Sequence, residues 1–166
     1  NLKDHKIKLQ YKDNNLSVEG LGKISLDREF NKINYTFSKK DKKYNFETDL
    51  EINDTPIKID FINYEKDKNL NSQLKINGNY NKKFGLDLKK ISILSKNNRI
   101  SIDDLIIDKN NKIVKVDKID LDYFDIIKKK NKFIINRIRN NDYELNGSIL
   151  NADSLITNLL KSNNDQ

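Results

Sequence analysis

The sequence predicts a mainly β protein: an extended, curved antiparallel meander that forms an open groove and ends in one short helix. Three observations predict it. Apolar side chains recur at alternate positions through about the first 120 residues, the period of a strand with one buried and one wet face. The connectors between these runs are short and polar, so neighbours in sequence reverse direction and pair antiparallel. Only one segment, near the C-terminus, has clear helical spacing, and a single helix cannot build a layered α/β protein.

The first strand carries Ile7, Leu9 and Tyr11, and the second Leu16 and Val18. Asp13-Asn14-Asn15 between them tolerates the left-handed conformation of a tight hairpin. Ile33, Tyr35 and Phe37 form the next alternating run, then Lys39-Lys40-Asp41-Lys42 turns the chain into Tyr44, Phe46, Thr48, Leu50 and Ile52. Asn53-Asp54-Thr55-Pro56 leads into a strand through Ile57, Ile59 and Phe61, and the only proline stands at its start, where no ladder donor is needed. Residues 65–69 precede a strand with Leu70, Leu74 and Ile76, and Asn79-Tyr80-Asn81-Lys82 precedes one with Phe84, Leu86 and Leu88. Further turns fall at Lys96-Asn97-Asn98 and Asp108-Lys109-Asn110-Asn111.

Two apolar triplets, Leu105-Ile106-Ile107 and Phe133-Ile134-Ile135, break the alternation and indicate burial on both faces or local bulges. Asp120 to Lys132 is ambiguous, since Leu121, Phe124 and Ile127 would suit a helix while Ile119, Leu121 and Tyr123 would suit a strand; a strand followed by a loop is the favoured reading. Asn151-Ala152-Asp153-Ser154 offers helix N-caps before Leu155, Ile156, Leu159 and Leu160. The expected organisation is therefore a sheet over 1–150, an amphipathic helix over 151–161 and a polar tail over 162–166.

Composition narrows the function. Of the 166 residues 36% are hydrophobic and 34% charged, which leaves a thin core and favours a sandwich, a barrel or an open sheet. The formal charge of +7 is carried mostly by lysine, and abundant lysine, asparagine and isoleucine are what an AT-rich genome encodes, so the basicity by itself names no ligand. The absence of cysteine excludes disulfides and thiolate metal sites. No apolar run approaches the ~18 residues of a membrane span. The start, Asn1-Leu2-Lys3-Asp4, has neither an initiator methionine nor a signal core, as expected of a piece of a longer chain.

No catalytic constellation emerges, and neither a cofactor nor a metal is expected. His5, the single histidine, reads as a solvated surface residue. Asp103-Asp104 and Asp117, Asp120, Asp122 and Asp125 lack the glycine turn and terminal glutamate of a calcium loop, and read as the wet face of strands. Gly20-Leu21-Gly22 is too short for a phosphate loop and reads as a bulge or a point of close packing. Arginine is limited to Arg28, Arg99, Arg137 and Arg139, and the lysines sit in turns, which argues against a nucleic-acid-binding sheet. Such turns would equally suit the surface of an anionic membrane, with solvated loops the plainer reading.

The run Leu145-Asn146-Gly147-Ser148-Ile149-Leu150-Asn151-Ala152-Asp153-Ser154-Leu155-Ile156-Thr157-Asn158-Leu159-Leu160 resembles the recurring unit of AsmA-like envelope proteins, the large YhdP-like group above all: a strand, a glycine, a strand, a polar cap and a leucine-rich helix. Residues 98–107 and 119–123 look like the strand motifs of the same family. The resemblance implies a segment of a long protein anchored in the inner membrane of a Gram-negative bacterium and reaching across the periplasm. It further implies an apolar concave face that carries phospholipid toward the outer membrane, flanking segments of the same chain as neighbours, and no catalytic residues. The 166 residues include no N-terminal anchor of the family's kind, as expected of a fragment of such a protein.

On the residues alone, about ten strands of ~8 to 9 residues at 4.8 Å spacing would make a sheet close to 48 Å long, and curling it would give an apolar trough. The expected lining is the set of alternate apolar residues traced above, from Ile33 to Leu88. The same residues would equally serve as the sealed core of a structural sandwich.

Overall fold

The computed structural model describes residues 1–26, 29–140 and 142–151. From residue 152 onward, the expected helix and the polar tail lie outside the described residues. The strands are β1 (Leu2–Lys12), β2 (Asn15–Leu26), β3 (Glu29–Lys40), β4 (Lys43–Glu51), β5 (Ile57–Ile59), β6 (Tyr64–Lys66), β7 (Ser72–Asn81), β8 (Gly85–Ser95), β9 (Arg99–Ile107), β10 (Ile113–Phe124), β11 (Lys130–Arg139) and β12 (Asp142–Ile149). Ten of them form one antiparallel meander in the order β1-β2-β3-β4-β7-β8-β9-β10-β11-β12, which does not close on itself. Strands β5 and β6 pair only with each other.

Strict alternation of direction sorts the connectors into two groups. Residues 12–15, 39–43, 81–85 and 108–112 turn at one end of the sheet; residues 52–71, 96–98 and 125–129 connect strands at the other. Asp13 and Asn14 both have positive φ (48° and 61°), as a two-residue type I′ hairpin requires. Two turns share an aspartate-headed design. The carboxylate of Asp108 accepts the backbone N–H groups of Asn110 and Lys112, and that of Asp125 accepts those of Ile127 and Lys129. In each, the fourth residue, Asn111 or Lys128, is left-handed.

Register explains why one face is apolar. Val18, Phe37, Phe46, Gly78, Leu88 and Leu105 are successive partners across β2, β3, β4, β7, β8 and β9, and directly opposed residues share a face. A shift at Asn77/Gly78 inserts an extra residue in β8 and is matched in β9 and β10. Beyond it Ile76, Ile91, Ile102 and Ile119 are again partners on the same face. Register also resolves the first triplet as plain alternation: Leu105 and Ile107 point to the apolar face, while Ile106 opposes Asp87 and Lys115 on the other. Likewise Ile134 opposes Asp120 and Asn146, opposite in sense to Phe133 and Ile135.

Residues 52–71 depart from the expected strand pairing. Ile57 and Ile59 belong to the separate β5–β6 hairpin, and Phe61 lies in a single 3-10 turn, Asp60–Ile62, half exposed. The reason is Lys66, fully buried, whose ammonium donates to the carbonyls of Asn53, Thr55 and Asp67, each at 2.9 Å. Gathering three carbonyls around one cation folds the chain off the sheet, and left-handed Asn63 ends the 3-10 turn. The result is a strap across one end of the apolar face. Asn31 of β3 donates to the Thr55 hydroxyl at 3.2 Å, and Ile62 and Tyr64 pack on Ile100, Leu121 and Phe133. At the far side, Tyr123 donates its hydroxyl to the Ile62 carbonyl at 2.8 Å, and the Ile126 N–H reaches the Asn63 carbonyl at 3.0 Å.

Lys66→Met keeps the apolar stem but strips three buried carbonyls of their donor. The expected loss is roughly 2–4 kcal/mol, given about 1–3 kcal/mol for each buried group left unsatisfied and partial rescue by water. Urea denaturation checks it, with exposed Lys58→Met as the control that leaves the midpoint in place.

Candidate functional site

The candidate site is the apolar sheet face. By register it holds Ile33, Tyr35, Phe37, Tyr44, Phe46, Leu50, Leu74, Ile76, Leu86 and Leu88, with buried Ile52 at the root of the strap. Five of the expected lining residues stand elsewhere. Ile57, Ile59 and Phe61 are in the strap, Ile59 packing onto the core from above; Leu70 lies in the connector before β7. Phe84 sits in the turn between β7 and β8 and is 68% exposed, because the turn closes at Asn81, whose carbonyl accepts the Phe84 N–H. Alternation alone could not separate a strand from a strap or a hairpin tip of the same phase.

The C-terminal half of the face escaped the sequence reading. Ile91, Ile93, Ile100, Ile102, Ile119, Leu121, Phe133 and Ile135 continue it. Each half of β8, β9 and β10 alternates, but the bulge shifts the phase between the halves. The pairs Ile91/Ile93, Ile100/Ile102 and Ile119/Leu121 were the available signal.

The face is graded in coverage. Under the strap, Ile100, Leu121, Tyr123 and Phe133 form the core with Ile62 and Tyr64. Toward the turns Phe37, Tyr44, Phe46, Ile76, Ile91 and Ile102 are half-buried, and on the edge strand β1 Ile7 and Leu9 are exposed. Near the turns the aromatics cluster: the Phe37 and Tyr44 rings are 5.7 Å apart, and those of Tyr44 and Tyr80 6.1 Å.

Gly20-Leu21-Gly22 is a point of close packing. The Tyr35 ring lies over Gly20 and the His5 ring over Gly22, each so close that a β-carbon at the glycine would overlap it. His5 is accordingly not the solvated residue expected: it is half-buried, its Nε2 donates to the Lys23 carbonyl at 2.9 Å, and its ring lies 6.1 Å from that of Tyr35. A glycine lane beneath it creates the space, which the sequence around His5 does not reveal.

The opposite face is a ladder of cross-strand ion pairs, among them Lys75–Asp49 at 3.3 Å, Lys90–Asp103 at 3.6 Å and Arg99–Asp120 at 3.2 Å. Lys130 holds the Asp122 carboxyl below the usual range, and Lys115 does so for Asp117. Recesses of about 580 Å³ (beside Lys8, Glu19 and Glu47) and about 340 Å³ (beside Lys75, Lys90 and Asp103) open on this face, with walls of mixed sign. Asp125 departs from the wet-face expectation. It is buried and also accepts the side-chain amide of Asn151, because it heads a turn rather than continuing β10. Among the described residues, no group of three histidines, aspartates or glutamates is placed to hold a metal ion.

Comparison with known proteins finds no family model that matches the chain, no similar curated protein and no matching solved structure.

Burial, and after it the charge of Asp125, pushes the Tyr123 phenol up to about 12 from 10.0. Above pH 10 the unfolded chain releases this proton while the folded chain keeps it, so the stabilisation is complete below pH 10 and lost as pH rises through about 12. Tyr123→Phe should lose about 1 kcal/mol at neutral pH with the hydroxyl's hydrogen bond. The difference in denaturation free energy between the two proteins should shrink between pH 10 and 12.

Proposed function

We propose that this chain is a lipid-handling segment of a periplasmic envelope protein of the AsmA-like kind. Its apolar sheet face shelters phospholipid acyl chains in transit between the inner and outer membranes. One observation carries the reading: a single-layer sheet presents a continuous apolar face across β2 to β11, and among the described residues only the strap covers it, at one end. Acyl chains need a continuous apolar wall and no hydrogen-bond partners, and the face supplies isoleucine, leucine, phenylalanine and tyrosine. Much of the opposite face is neutralised by ion pairs across strands, and its recesses are walled by charges of both signs. Catalysis has no part in the proposal.

A photo-crosslinking residue placed at Phe46 or Ile76 should capture phospholipid from vesicles or cell extract, identified by mass spectrometry after lipid extraction, while the same probe at Glu47 on the charged face should not. Phe46→Asp, which puts an unpaired carboxylate on the wall, should cut capture at Ile76 several-fold. Capture of protein alone at Phe46 and Ile76 would replace the lipid reading with a sheet sealed by a second layer.

A further inference from the structure

We infer that the turn end of the sheet docks onto an anionic lipid bilayer. The four turns 12–15, 39–43, 81–85 and 108–112 carry nine lysines against three aspartates, a surplus of six out of the chain's formal +7. The described connectors at the strap end, 52–71, 96–98 and 125–129, carry six lysines against five acidic residues. The charge asymmetry thus runs along the strands, a direction that the sequence order does not display.

These lysines also differ in circumstance from those on the sheet. Among the described residues, Lys8, Lys32, Lys75 and Lys90 each have a carboxylate on the neighbouring strand within 4 Å, whereas none of the nine turn lysines has an ion-pair partner. An unpaired row of ammonium groups attracts an anionic surface at about 1 kcal/mol per lysine, roughly fivefold in binding constant.

Aromatics accompany the lysines. Phe84 projects at its tip between β7 and β8 with the Lys83 ammonium 5.3 Å from its ring, and Tyr44 stands at the end of the apolar face with the Lys39 ammonium at 5.8 Å. Tyr11 and Tyr80 are exposed in the same zone. Rings with a wet edge and lysines on apolar stems are the residues that settle at the headgroup boundary of a bilayer. A nucleic acid fits less well: the row lacks guanidinium forks, and hairpin tips spaced by two strands, roughly 10 Å, do not form a groove around a phosphate backbone.

This inference goes beyond the lipid-handling reading and stands without it, since surface docking needs no lipid on the sheet face. The full chain is co-sedimented with phosphatidylcholine vesicles and with vesicles of phosphatidylcholine and phosphatidylglycerol. Binding to the anionic vesicles alone, weakened by salt, is expected. The pair Lys82→Gln, Lys83→Gln should lower it about tenfold or more, and Phe84→Ser should lower it further. The strap-end pair Lys68→Gln, Lys96→Gln should leave it within about twofold, with circular dichroism confirming that all variants fold. A second turn pair, Lys42→Gln and Lys109→Gln, should repeat the loss. Equal binding to neutral vesicles, equal loss with the strap-end pair, no binding, or tighter binding to a single-stranded oligonucleotide at the same salt would each overturn the inference.

Discussion

Everything in this fold depends on keeping one register across ten strands. A side-chain period of two means that a slip of one residue would move a strand's whole apolar set into water, and an open single-layer sheet has no second core to compensate. The bulge in β8 shows how the constraint acts. Once Lys89 and Lys90 together oppose Asn77, the phase of β8 reverses, and β9 and β10 must reverse at the same level for Ile91, Ile102 and Ile119 to meet. Left-handed Asp104 lies at that level, with Lys89 pairing both to it and to Asp87 at 3.1 Å. The irregularity is thus shared along the ladder.

The meander was legible because its signals are local. Apolar alternation fixes strand faces, and Asp13-Asn14 fixes a hairpin, without reference to anything distant. What was not legible depends on contacts between remote residues. Lys66 looks like any solvated lysine beside Glu65 and Asp67, and nothing local indicates that its ammonium takes carbonyls from Asn53 and Thr55 as well as from Asp67. The five expected lining residues that stand off the sheet include three in the strap this lysine organises. Asp125 was hidden in the same way, since a turn-heading carboxylate and a wet-face carboxylate look identical until the strand end is known.

The strap is a buried polar construction on an apolar floor, which is costly unless every group is satisfied. Lys66 uses its three donors on three carbonyls, and burial of the ammonium lowers its pKa, so the site works against its charge even while the hydrogen bonds hold it. Tyr123 donates into the strap and Asn31 reaches it from β3, so the ties come from strands far apart in the sheet. A cap tied at both sides of the sheet is also a splint: its hydrogen bonds link β3 to β10 across the strands between them.

The two ends of the strands are therefore chemically different. At one end the apolar face runs beneath a hydrogen-bonded strap and forms the best-packed core in the described chain; at the other it runs out among half-buried aromatics toward unpaired lysines. Many charged residues elsewhere pair across strands, and the long open edge at β1 carries Lys3, Lys6, Lys8 and Lys12, which discourages a further strand from adding there. A face closed at one end and basic at the other has a direction. Amphiphiles with apolar tails and anionic heads match that order of apolar wall, aromatic belt and cationic rim, so the lysine surplus that first looked like compositional bias is concentrated where the proposed lipid contacts would use it.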